Sequence, residues 1–448
     1  MTSWHDTNIR WFVLVLIGIY PLVVFLVGEF PALLGEQIKQ HFQITQKEVN
    51  YLLSIRAFPN MIMSLIGGLI IDTFGVGRSY TLFGAVIIFG QCKNLYQRKV
   101  LCFISVISDN FAIMVVGRLV FGLFDDSGFV AESYYINKWF KGKENSLAFG
   151  IDTGLCRIGS ITGAIIYPYI YMSQDSDLSK CLLMCLYISI LSFVLIIILT
   201  RIDKCSDQRD KITDQKLESV DLRQIKNFSL EFYVALISCA TTYSIFFIFG
   251  YNCVEMFKLL YKLDQSTANL LFSIPHYISA VLTVFVGHYV DRKGRNIEIL
   301  LLGGFCQVLA AALFYLMPEC DTYCVALPVI GSILIGIFFG TYYAVMWPYI
   351  PKIVPSNLVG TGFGLTYACI NIEITIFSII ISHILEIENY ENYAKMNTLL
   401  LFLSFVGFLP LLYLYKFHRT KYHQGNVTKG NEKESESQIE LIDRTKSL

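Results

Sequence analysis

Gly68-Leu-Ile-Ile-Asp72-Thr-Phe-Gly75-Val-Gly77-Arg78 and Gly287-His-Tyr-Val-Asp291-Arg292-Lys-Gly294-Arg295 are two versions of one pattern. Each has a Gly, an Asp four positions on, and then Gly followed by Arg. The two aspartates lie 219 positions apart in a chain of 448 residues. Each pattern closes an apolar run of about 20 residues, enough helix to cross a hydrocarbon core of about 30 Å. A Gly lets a neighbouring helix come close, and an Asp at a helix end anchors a charge there. One such pattern is weak. Two, at equivalent places in the hydropathy, mark a chain built as two repeated halves.

Working outward, apolar runs of spanning length fall near 11–30, 50–71, 79–106, 111–136, 146–171, 181–200, 229–250, 267–290, 297–317, 322–347, 359–384 and 395–415. The chain is 54% hydrophobic and 16% charged, whereas soluble chains run near a quarter charged. An all-α membrane protein of twelve transmembrane helices in two pseudo-symmetric six-helix bundles is expected. The bundles divide as 1–200 and 228–416, joined by a cytosolic linker at 201–227 and followed by a disordered cytosolic tail at 417–448. Counted with both termini inside, Lys and Arg number 23 on the terminal side and 9 on the other, so the positive-inside rule places both termini in the cytosol. Span three is interrupted by the polar stretch 91–99, which reads either as a luminal loop or as an insertion. Zero net charge and the lack of a basic aromatic cluster argue against a nucleic-acid partner.

The repeated pattern, in register with the hydropathy, resembles the signature loop of the major facilitator superfamily across the whole chain. That resemblance implies two bundles rocking about a central site, so that solutes move by alternating access. Asp72, Arg78, Asp291, Arg292 and Arg295 would then act in gating. Further segments resemble one branch of that superfamily, the lysosomal dipeptide uniporters: Gly117–Gly122, Trp139-Phe-Lys-Gly-Lys143, Ala148–Gly150, Arg157-Ile-Gly-Ser160, Trp347-Pro348 and Gly360-Thr-Gly-Phe-Gly364. The likeness implies facilitated diffusion of dipeptides out of the lysosome, and a glycosylated single-span accessory protein as partner. One departure concerns span four, where Phe124-Asp125-Asp126-Ser127 stands in place of the branch's Gly-Gly-Glu-Ser.

Charges inside spans are costly in lipid and are functional candidates for that reason. At about 100° per residue, Arg118, Gly122 and Asp125 share a face of span four, which makes an Arg118–Asp125 ion pair one reading of them. Asp152 and Arg157 lie in span five, and Glu373 lies in span eleven two residues after Asn371, on a different face. By resemblance, Asp126, Arg157 and Asn371 match the branch's substrate positions. The chemistry agrees, since a zwitterion offers an ammonium to a carboxylate and a carboxylate to a guanidinium fork. Tyr243 and Trp347, large rings with polar edges, are candidate walls of the same site.

Phosphate loops, zinc-binding His-Glu-x-x-His runs and nucleophile elbows are missing from the sequence, which argues against an enzyme and calls for no cofactor or metal. Two alternatives to the dipeptide reading remain: a proton-coupled carrier of other small organic solutes, and a transport-dead ligand sensor. The tail's acidic Leu-Ile end, Glu434–Ile442, suits a lysosomal or endolysosomal membrane. It misses the usual acidic dileucine spacing by one, and phosphorylated Ser437 would supply the charge. The Asn-x-Ser/Thr sites, Asn227-Phe-Ser229 and Asn426-Val-Thr428, both fall on segments assigned to the cytosol, beyond reach of glycosylation. Glycosidase treatment should therefore leave the protein's gel mobility unchanged, and a mobility shift would reverse the assigned topology.

Overall fold

The computed structural model describes residues 4–44, 48, 52, 55–91, 110–142, 144–173, 177–210, 222–316, 320, 322–385 and 389–446, with the backbone alone from 420 on. Ten helices among these are long and apolar enough to cross a membrane. Spans one and two are Ile9–Gly28 and Ala57–Phe74, and spans five and six are Asn145–Ser173 and Leu178–Arg209. Spans seven to twelve are Leu230–Tyr261, Gln265–Lys293, Asn296–Leu316, Ala326–Ile353, Val359–Ile384 and Tyr390–Lys446. A shorter helix, Val76–Gln91, forms span three. Most of the polar interruption after it, from residue 92, lies outside the described residues. Large apolar side chains such as Ile165, Leu191, Phe285 and Phe402 stand exposed, as expected of helices that meet hydrocarbon.

Span four departs from the continuous helix expected of 111–136. It is two helices, Phe111–Gly122 and Asp125–Trp139, with a turn at Leu123 and Phe124. The Asp125 carboxylate accepts the Asp126 N–H at 2.8 Å. Two acids in the first turn also suit the positive end of the second helix. The break cancels the helical-wheel argument that set Asp125 beside Arg118. Two boundaries shift as well. Span six runs to Arg209, into the stretch read as linker. Span twelve stays helical to Lys446, through the stretch read as a disordered tail, whose Lys, Glu and Gln residues favour helix.

The repeated aspartates do one job twice. Asp72, on span two, accepts the Gly360 N–H at 2.9 Å and both the N–H and the hydroxyl of Thr361 at 2.6 Å. Asp291, on span eight, accepts the Ser146 N–H at 3.0 Å and the Leu147 N–H at 2.8 Å. Each carboxylate thus caps the first turn of a helix from the other half, spans eleven and five respectively. Those first N–H groups have no partner within their own helix, and the helix dipole favours an anion there. The motif glycines let the helices approach. A Cβ on Gly68 would fall on the Gly360 carbonyl, and one on Gly287 would fall on the Ser146 carbonyl. The motif arginines Arg78, Arg292 and Arg295 are exposed, and their side chains make no hydrogen bond or ion pair among the described residues. Helix amides, and not these cations, satisfy the two aspartates.

At this latched face each half is also stapled within itself. Lys138 on span four bridges Asp203 and Asp207 on span six at 2.8 Å, and the His5 ring packs on Trp139. In the second half, Glu231, Tyr349 and His418 join spans seven, ten and twelve. Rigid halves joined by two latches should open as a unit. Replacing Asp72 or Asp291 by Asn removes a charge-assisted contact, which costs the closed state about 1.5–3 kcal/mol. A cysteine at Thr283, buried where its hydroxyl meets the Gly150 carbonyl across the seam, should then react faster with a soluble thiol reagent. Unchanged labelling in both variants would remove the latch.

Candidate functional site

Behind the latches, the seam between the halves holds Asp126 and Arg157, two of the charges singled out in the sequence. Asp126, at the start of the second helix of span four, accepts a hydrogen bond from Asn371 on span eleven. Asn371 also donates to the Tyr367 carbonyl at 2.8 Å. This contact ties the halves at mid-depth, as the aspartates do at the latched face.

Arg157, on span five, is only 3% exposed. Three rings surround its guanidinium: Phe25 at 5.5 Å, Phe246 at 5.8 Å and Phe339 at 4.7 Å. Its Nε has no hydrogen-bond partner, and no carboxylate pairs with it among the described residues. Ring faces attract a cation but do not accept hydrogen bonds as an anion would, and the Nε donor is left unmet. A buried guanidinium in this condition is ready for an anion.

The rings form a closed circuit. Phe25 contacts Phe129 at 5.8 Å, Phe129 contacts Tyr367 at 6.2 Å, and Tyr367 stacks on Trp347 at 4.4 Å. Trp347 meets Tyr243 edge-on at 5.9 Å and donates its indole N–H to the Tyr243 hydroxyl. Tyr243 contacts Phe339 at 5.7 Å, which returns to Arg157. Both halves contribute, with Phe25 and Phe129 from one and the remainder from the other. Asp126 stands three residues before Phe129, so the circuit joins the lone cation to the seam carboxylate.

The other intramembrane charges have different surroundings. Arg118 donates to the Gly28 carbonyl at 2.8 Å and to the Leu52 carbonyl at 3.3 Å, between the rings of Phe30 and Phe121. It does not meet Asp125, whose partners are Arg56 and Asn60 on the span-two side. The helix break explains this, because Asp125 no longer follows the Arg118 face. Glu373 faces away from Asn371 and accepts from Thr241 on span seven at 3.3 Å. Asp152 is fully buried, with both carboxyl oxygens lacking a donor.

Sequence reasoning brought Asp126 and Asn371 to one place but missed several members of the site. Arg56 and Asn60, which hold Asp125, were not among the candidates. Phe25, Phe129, Phe246, Phe339 and Tyr367 gave no signal, because aromatics make up 15% of the chain.

The chain is similar to known proteins over most of its length. Lysosomal dipeptide transporter MFSD1 from Bos taurus is 27% identical over 370 residues, covering 80% of this chain and 76% of that one. The Danio rerio protein of the same name is 25% identical over 399 residues, covering 87% and 83%. Among solved structures, the proton:xylose symporter XylE aligns with a TM-score of 0.65 at 13% identity, over 91% of this chain and 95% of that one. FucP, solved in the outward conformation, aligns with a TM-score of 0.65 at 10% identity, over 90% and 98%. The sequence profile of the Major Facilitator Superfamily matches residues 13–378. With two latched halves of six spans and a polar, ring-lined seam between them, the chain belongs to the Major Facilitator Superfamily.

Proposed function

We propose that this transporter moves small zwitterionic solutes, dipeptides above all, by facilitated diffusion from the lysosome to the cytosol. One observation carries the reading: a buried Arg157 with an unmet Nε donor, set in an aromatic circuit that reaches Asp126. A dipeptide's carboxylate would take the guanidinium fork, and its ammonium would take Asp126 in place of Asn371. Aromatic walls contact side chains of many shapes without demanding a particular hydrogen bond, so the charged termini would set the register. The name carried by the relatives, lysosomal dipeptide transporter, agrees with this substrate class and membrane.

The direction of the cycle follows from the assigned orientation. With the termini in the cytosol, the latched face is the cytosolic one and the structure is closed toward it. A solute entering from the lumen would pull Asp126 away from Asn371 and weaken the mid-depth tie between the halves. Bundle rotation would then depend on the solute itself, which gives flux without an external energy source. The accessory protein implied by the likeness belongs to the luminal side, where it would shield short loops from proteases.

The test is uptake into liposomes holding the purified full chain, using a dipeptide panel without a pH gradient. Arg157→Lys keeps the charge but loses the fork, so dipeptide affinity should fall roughly ten- to a hundredfold, or about 1.5–3 kcal/mol. Amidating the peptide carboxylate should lower wild-type affinity by a similar factor and abolish the difference between Arg157 and Lys. Asp126→Asn should act in the same way toward N-acetylated peptides. Undiminished affinity in Arg157→Lys, in protein of normal thermal stability, would remove this residue from the site.

A further inference from the structure

Between the central site and the latch lies a pair of carboxyl groups that the transport reading does not use. Glu132 is six residues beyond Asp126 toward the latched face, about 9 Å along the helix. Asp152 is five residues beyond Leu147, whose N–H caps Asp291, about 7.5 Å in from the latch. Glu132 is 2% exposed and Asp152 is 0% exposed. The two carboxyls face each other within hydrogen-bonding reach. Yet Glu132 Oε2 and both Asp152 oxygens lack a donor. Two carboxylates cannot bond to each other without a proton between them, and burial of both as anions is unfavourable.

Among the described residues no cation faces the pair to resolve this. Tyr80 from span three, Cys156 from span five and Tyr343 from span ten of the other half face both carboxyls, and Tyr20 from span one and Tyr367 from span eleven face Glu132. Arg157 follows Asp152 by five residues and so points about 140° away, into its own aromatic cage. Tyr80 is fully buried, and its hydroxyl, set in the field of both carboxyls, has no hydrogen-bond partner. A polar group left open beside two unmatched carboxyls is the mark of a missing ligand. We propose that Glu132 and Asp152 form a proton-binding site that holds one shared proton while the latched face is closed and releases it to the cytosol when that face opens.

The coupling is geometric. Tyr343 and Tyr367 belong to the half that swings away when the Asp72 and Asp291 latches part. Their departure admits water from the latched face, and a hydrated pair can ionise. The closed state therefore binds one proton more than the open state, so low pH favours closure and high pH favours opening. The proton enters and leaves by the same face, so it gates the cycle without being transported. The exit to the cytosol rests on the orientation proposed above; the link between proton and latch does not.

The experiment reads conformation without any solute, so it stands or falls apart from the dipeptide reading. Cys205 is exposed on the first half and Lys293 is exposed on the second, both at the latched end. Full-length protein with Lys293→Cys, and every cysteine except Cys205 replaced, is spin-labelled and its distance distribution followed from about pH 5 to about pH 8. The long-distance population should gain on the short one by up to about tenfold per pH unit, the limit for one linked proton. The double variant Glu132→Gln with Asp152→Asn should stay short at every pH, and each single variant should lose most of the response if the double does not fold. In vesicles with different pH on the two sides, the response should follow the latched side. A wild type without a pH response, variants that keep it, or a response that follows the opposite side would each overturn the proposal.

Discussion

A carboxylate inside a helical membrane protein must find donors, and at Asp72 and Asp291 the donors are the opening amides of helices from the opposite half. Much else follows from that constraint. Amides at a helix start cannot move independently of their helix, so each latch orients a whole span. To bring an Asp within bonding distance of a foreign backbone, the helices must touch, and Gly68 and Gly287 make that contact with no side chain between. The seam closed in this way then buries everything behind it, including the central charges and the rings.

Behind the latches, most charged groups in the spans have their demands met locally. Arg118 has two carbonyls and two rings, Arg56 and Asp125 have one another, and Glu373 has a hydroxyl. Among the described residues, buried charge is left short of partners at the Arg157 Nε, at the pair Glu132 and Asp152, and at one carboxyl oxygen of Glu373. Lipid-facing proteins tolerate such deficits poorly; on the readings proposed above, a solute anion would meet Arg157 and a proton would meet Glu132 and Asp152.

Much of the architecture was legible in the sequence because hydropathy and the repeated Gly-x-x-x-Asp pattern are local signals. The partners of that pattern were not, since the amides of Gly360 and Ser146 are ordinary backbone groups with no sequence signature. The same limit explains span four. A run from Phe111 to Ile136 reads as one helix, but Asp125 binds Arg56 and Asn60 from span two, and tertiary contacts of that kind override helical periodicity. Charged candidates could be recognised singly because lipid makes each of them expensive. The aromatic circuit could not, since Phe25, Phe129 and Tyr367 look like any packing residue until three spans bring them together.

The two latches resemble each other but are not equal. Asp72 collects three donors, two amides and the Thr361 hydroxyl, whereas Asp291 collects two amides. A two-fold repeat in the chain therefore does not give a two-fold mechanical response. Under a common separating force the span-eight contact yields first, and the span-two contact becomes a pivot while the other side parts. The mouth would open as a wedge from one edge, giving a departing solute a preferred side and the motion a fixed sequence in time.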